Sequence, residues 1–158
     1  NRHYTPQLFA TIRKCWDDAP SYSAVSVATM PVKLYAHLSW ATDGRLSMID
    51  QVAEAFLRRF IPAEARRHGV RVLALGMVAD HVHVALRLPP VSDIPRIVQG
   101  FKGASARLIN KRRAAGARSL KWGSGYDLRS VSPEHVDQII AYVRSQPRRH
   151  PGLAIRRD

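Results

Sequence analysis

The spacing of apolar positions changes several times along this chain, and each change marks an element. Leu34, Ala36, Leu38 and Trp40 alternate with Tyr35, His37 and Ser39, a period of two that predicts a strand with one apolar face. Thr42-Asp43-Gly44-Arg45 follows as a turn. Ile49, Val52, Ala53, Phe56, Leu57 and Phe60 recur at helical spacing, with Ser47 or Asp50 as the candidate cap. Pro62 is expected to kink or end this helix before Gly69 stops the segment. Residues 70–77 and 81–88 read as two more strands joined by a tight turn at Ala79-Asp80, and Pro89-Pro90 closes the second. Ser92 or Asp93 opens a second helix whose stripe is Ile94, Ile97, Val98, Phe101, Leu108 and Ile109. Gly116 and Trp122-Gly123-Ser124-Gly125 predict a flexible loop, and residues 126–131 a short strand. Ser132-Pro133 begins the last helix, with serine as N-cap and proline at its first position.

The order β-α-β-β-α-β-α on one small antiparallel sheet predicts an α+β, ferredoxin-like fold with helices packed on the sheet. Residues 1–31, punctuated by Pro6, Pro20 and Pro31, read as an N-terminal arm. Residues 32–150 read as the domain, and residues 151–158 as a basic C-terminal tail. A chain of 158 residues with 46% hydrophobic content suffices for one buried core and argues against disorder. Cys15 is the only cysteine, so no internal disulfide forms and a reducing cytoplasm, close to the nucleoid, is the expected home. No apolar run approaches the roughly 20 residues that a membrane helix needs.

Charge narrows the class of partner. A net charge of +13 attracts polyanions, of which nucleic acid is the commonest in the cytoplasm. No acidic residue falls within 94–126, whereas Arg96, Lys102, Arg107, Lys111, Arg112, Arg113, Arg118 and Lys121 all do. The bias returns with Arg144, Arg148, Arg149, Arg156 and Arg157. A one-signed stretch inside a folded domain predicts a phosphate track.

Candidate chemistry begins with His81-Val82-His83 in the third strand. Alternation sends both imidazoles to one face and Val82, Val84, Leu86 and Leu88 to the other, a spacing at which two neutral imidazoles share one divalent cation. Strand histidines are often plain surface residues, so the pair alone is a weak signal; His37 is a possible third ligand. In the last helix Val136, Ile139, Ile140 and Val143 form the buried stripe, and Tyr142 and Gln146 share a flanking face four residues apart. By itself Tyr142 reads as a tyrosine lending its ring to a helix edge. Beside a cation it gains a function: a phenol is a poor nucleophile at neutral pH, and a cation polarises the phosphodiester it would attack. Gln146 then offers an amide oxygen to the metal shell. Tyr126, in its glycine-rich loop, is the rival nucleophile.

Several segments in order resemble the single-tyrosine HUH transposases of small bacterial insertion sequences, in which U is a hydrophobic residue. They are Tyr35-Ala36-His37-Leu38-Ser39-Trp40-Ala41-Thr42, Asp80-His81-Val82-His83-Val84 and Val98-Gln99-Gly100-Phe101-Lys102-Gly103-Ala104-Ser105. Trp122-Gly123-Ser124-Gly125-Tyr126, Ser130-Val131-Ser132-Pro133 and Tyr142-Val143-Arg144-Ser145-Gln146 complete the series. The resemblance implies His81 and His83 as metal ligands, Gln146 as the third and Tyr142 as the nucleophile. It also implies magnesium or manganese, single-stranded DNA folded as hairpins, a 5′-phosphotyrosine intermediate and a homodimer formed by joined sheets. A related branch, associated with repetitive extragenic palindromes, usually follows its tyrosine with Asn-Pro; Gln146 favours the insertion-sequence branch. The competing readings are another HUH nuclease (a relaxase or replication initiator) and a noncatalytic or domesticated DNA-binding protein. A histidine-triad hydrolase is disfavoured, because Ala85 stands where a third histidine is required.

Overall fold

The computed structural model describes residues 32–113 and 118–155; the arm at 1–31, Gly116, Arg156 and Arg157 lie outside the described residues. Its elements are β1 (Leu34–Ala41), α1 (Gln51–Arg67), β2 (Arg71–Val78), β3 (His81–Leu88), α2 (Ile94–Gln99), α3 (Ser105–Arg112), β4 (Asp127–Val131), α4 (Val136–Arg144) and α5 (Gln146–Arg149). The sheet order is β2-β3-β1-β4 and every neighbouring pair is antiparallel. β1 and β2 therefore run parallel on either side of β3, with α1 as their crossover. β3 and β4 flank β1 in the same way, which is the split βαβ plan expected from the element order.

Local chemistry sets the element ends. Asp50 Oδ1 accepts from the Ala53 N–H at 2.8 Å and caps α1; Asp93 caps α2 through the Arg96 N–H at 3.1 Å. Pro62 does not end α1, which runs on to Arg67. Leu57, Ile61 and Ala65 are fully buried around the proline, and that packing outweighs one lost backbone bond. Gly69, at φ +68°, does end the segment. Its N–H reaches the Arg66 carbonyl and that of Val70 reaches Ala65, the Schellman pattern that needs a left-handed residue there. The second helix is also altered, since residues 100–104 form a π turn between α2 and α3. Ser132 bonds His135 Nδ1 at 2.6 Å rather than capping a backbone N–H, and a 3-10 turn at Pro133–His135 precedes α4.

Leu38, Trp40, Met77, Val82, Val84 and Leu86 on one sheet face bury against Leu57, Ile61, Ile97, Phe101 and Ile109 from the helices. α4 covers the other face, where Val143 is buried against Ala74 and Ala85, with Ile139 and Ile140 at its margin. β3 is thus covered on both sides, and its histidines lie under the last helices rather than on an open surface. Residues 151–155, read above as the start of a tail, return to this body: the Ala79 N–H bonds the Leu153 carbonyl at 2.8 Å, and Ile155 packs on the main core. Among the described residues no helix is long and apolar enough to cross a membrane.

Candidate active site

β3 carries His81 and His83 on the same face, as alternation requires, and they are only 5% and 9% exposed. Their ring centroids are 5.0 Å apart at 80°. Asp80 Oδ1 lies 2.5 Å from His81 Nδ1. A carboxylate only accepts, so Nδ1 carries the proton and the Nε2 lone pair is left for other use. His83 Nδ1 lies 2.8 Å from His37 Nε2, the two rings nearly parallel with centroids 5.0 Å apart. Burial, reinforced by His37, His81, His150 and Arg45, pushes His83 down to about 3, so it is neutral at physiological pH. Burial also lowers His37, with Asp127 opposing. His37 touches His83, yet no three His, Cys, Asp or Glu side chains among the described residues gather as a metal shell.

Tyr142 comes to this cluster on α4. Its ring stands edge-on to His37 and to His83, both at 5.6 Å, and the Arg149 guanidinium covers it 4.9 Å from the centroid. Two residues make this docking possible. Pro147 has no N–H to give the Val143 carbonyl, its partner in a continuous helix, and α4 ends at Arg144 before α5 begins. That carbonyl lies against Gly76, where even a Cβ would sit 1.8 Å from the oxygen. Gly76 pairs directly with His83 across the β2–β3 ladder, so the tyrosine helix seats beside the histidines. Gln146 is fully buried there; its Nε2 donates to the Tyr142 carbonyl at 3.2 Å, and its Oε1 has no hydrogen-bond partner. A buried acceptor without a donor is free to take a water or an ion.

Tyr142 thus meets the histidine pair, whereas Gln146, expected on the same flanking face of one helix, lies beyond the break at Arg144 and is fully buried against Gly76. A cleft of about 460 Å³ beside them is lined by His81, His83, Tyr142, Tyr126, Arg45 and His150, among others. Tyr126 shares the cleft without a histidine against its ring among the described residues. Asp80, Arg45 and His150 were missed as site residues by the sequence reading. Arg45 Nη1 lies 3.6 Å from Asp80 Oδ2, and the His150 ring meets His81 edge-on at 5.0 Å. The Tyr142, Gln146, His150 spacing of four was the available signal for the last of these.

The basic run does not form one uniform track. Lys102 Nζ donates to the carbonyls of Gly123 (2.7 Å), Ser124 (3.3 Å) and Gly125 (2.8 Å), and burial lowers its basicity. Arg113 bonds Asp50 and the Met48 carbonyl. Lys121 pairs with Asp43 at 2.7 Å, a bond that raises its pKa. Arg118 reaches the Ser47 carbonyl, and Arg112 lies over Phe56. Arg96, Arg107 and Lys111 are exposed with no ion pair among the described residues; the first two line a second cleft with Glu64, Arg67 and His68.

Comparison with known proteins gives one consistent picture. Residues 31–146 match the family model described as IS200-like transposase. The chain is 31% identical to the ISDra2 transposase TnpA of Deinococcus radiodurans over 121 residues, spanning 72% of this chain and 84% of that protein. A solved structure from the same organism, provisionally assigned as a transposase, superposes with TM-score 0.58 at 26% identity, covering 81% of this chain and 96% of the other. A REP-associated tyrosine transposase, solved bound to a REP hairpin, shares the fold with TM-score 0.60 at 15% identity, covering 77% and 71%.

Proposed function

From the premise that the chain belongs to the IS200-like transposase family, we propose that it cuts and rejoins single-stranded DNA through a covalent 5′-phosphotyrosine at Tyr142. The observation that carries this reading is the edge-on packing of the Tyr142 ring on His83 inside one cleft. Tyr142 Oη attacks the scissile phosphorus, a P–O bond to tyrosine forms, and the P–O3′ bond breaks. The phenol loses its proton and the departing 3′ oxygen gains one, so the strand end leaves as a hydroxyl. Attack by a 3′-hydroxyl on the phosphotyrosine reverses these steps and rejoins strands, with no nucleotide cofactor consumed.

The implied group is a divalent cation, magnesium or manganese, and the residues fit it. His81 and His83 offer ring nitrogens, and Gln146 Oε1 is a buried acceptor without a partner; these three would hold the ion. When bound, it supplies positive charge that polarises the phosphodiester. Asp80 fixes the His81 tautomer, His37 holds the His83 ring, and Arg149 steadies the tyrosine. The substrate in this reading is a DNA hairpin with a single-stranded flank, the exposed basic residues Arg96, Arg107 and Lys111 meeting its phosphates. The working form is a homodimer, for which the outer edge of β4 offers an unpaired strand edge among the described residues.

The test uses 3′-labelled hairpin strands copied from DNA flanking the chain's own gene, with manganese. Wild type and Tyr126→Phe should give a denaturant-resistant protein–DNA adduct, and Tyr142→Phe none. An adduct lost with Tyr126→Phe but kept with Tyr142→Phe reverses the assignment; salt-sensitive binding with no adduct from any variant leaves a noncatalytic DNA-binding protein.

A further inference from the structure

Arg45 is the one residue other than glycine with a left-handed backbone among the described residues, at φ +56°. An L side chain adopts that conformation at a cost, and it persists only where the surroundings over-determine it. They do so here. The Arg45 N–H bonds the Thr42 carbonyl at 3.1 Å, and the Leu46 N–H bonds Asp43 at 3.3 Å. The Thr42 N–H reaches the Asp80 carbonyl at 2.8 Å, while its Oγ1 sits 2.6 Å from the Leu46 carbonyl and 3.1 Å from that of Asp80. The turn is thereby tied to the one that begins β3, whose first residue is His81.

A glycine would take the same backbone freely, as Gly44 does at φ +60°, so the position spends backbone freedom on a side chain. That side chain lines the cleft with His81, His83 and Tyr142 and is 67% exposed. Nη1 alone is engaged, by the Asp80 carboxylate at 3.6 Å. The rest of its planar fork, suited to two oxygens of one phosphate, has no partner among the described residues. Asp80 thus orients a histidine and the arginine together.

We infer that Arg45 is a catalytic residue: its guanidinium grips the non-bridging oxygens of the scissile phosphate and stabilises their charge while Tyr142 attacks and the P–O3′ bond breaks. The inference rests on the phosphotyrosine reading above. Its role is distinct from that of an ordinary phosphate contact, because the benefit is realised in the transition state.

Arg45→Gly tests it without strain, since glycine accepts the turn's backbone. Single-turnover adduct formation by the full-length chain is measured at saturating labelled hairpin strand, with Arg45→Lys alongside and guanidinium ion added back. The expected result is a loss of roughly a hundredfold or more in rate for Arg45→Gly, a smaller loss for Arg45→Lys, and partial recovery of Arg45→Gly with guanidinium. A rate within about threefold of wild type, on the scale of a single weak contact, overturns the inference, as does a loss seen only in affinity. If wild type forms no adduct, the phosphotyrosine reading falls first and Arg45 with it.

Discussion

A methyl group at position 76 has nowhere to go, because its carbon would lie 1.8 Å from the Val143 carbonyl oxygen and 3.2 Å from Gln146 Cγ. Relief requires α4 and α5 to lift away from β2, carrying Tyr142 from His83. Gly76→Ala should therefore lower stability by about 1–3 kcal/mol and reduce adduct formation far more than that loss explains. Thermal melting and the adduct assay measure the two effects. Gly103→Ala, where a Cβ meets nothing within 4 Å, is the control and should melt at or slightly above wild type. Retained activity in Gly76→Ala would mean that α4 does not need this seat. The shared face of His81 and His83 and the place of Tyr142 beside the buried stripe were legible because strand and helix periods are local properties; the break at Arg144 and the burial of Gln146 were not. Gly76 and Arg45 were not legible. One depends on which residue of β2 faces His83, the other on a backbone angle that Asp43-Gly44-Arg45 does not announce.

Between elements, the π turn at Gly100–Ala104 brings Lys102 to the loop that walls the cleft. Three loop carbonyls share its ammonium, and Ser105 Oγ accepts from Trp122 Nε1 at 3.1 Å just before that loop. Lys102→Met keeps the stem and removes these bonds, so it should cost about 1.5–3 kcal/mol, the range for charged hydrogen bonds. The slope of DNA affinity against salt should stay as in wild type. Arg107→Ala should do the opposite, leaving stability within about 0.5 kcal/mol and lowering the salt slope by roughly one counterion. A slope change of the same size in Lys102→Met would return Lys102 to the phosphate contacts. The sequence reading saw one basic run because charge is visible and partners are not. Asp43 and Asp50 lie more than 50 positions before the residues they pair with, Lys121 and Arg113. The ferredoxin-like plan was legible by contrast, since a β-α-β-β-α-β succession leaves few right-handed, unknotted ways to form one sheet.

Across the whole molecule, the placement of α4 bears on how a dimer would share its active sites. The Val143 carbonyl on Gly76, the Tyr142 ring on His37 and His83 and Gln146 against β2 are all contacts within one chain. The segment after α5 adds a further tie, through the Leu153 carbonyl to the Ala79 N–H and His150 against His81. To serve a partner's histidines, α4 and α5 would have to exchange this packing for the equivalent packing on a second copy, with Val143, a fully buried residue, buried there instead. The expected arrangement is therefore a site completed within each protomer. Mixing Tyr142→Phe chains with His81→Ala chains then yields heterodimers in which one protomer lacks the nucleophile and the other a histidine. No adduct should form above that of the separate variants. Adduct recovered in the mixture would require the tyrosine helix to cross to its neighbour and to make the equivalent of the Gly76 contact there.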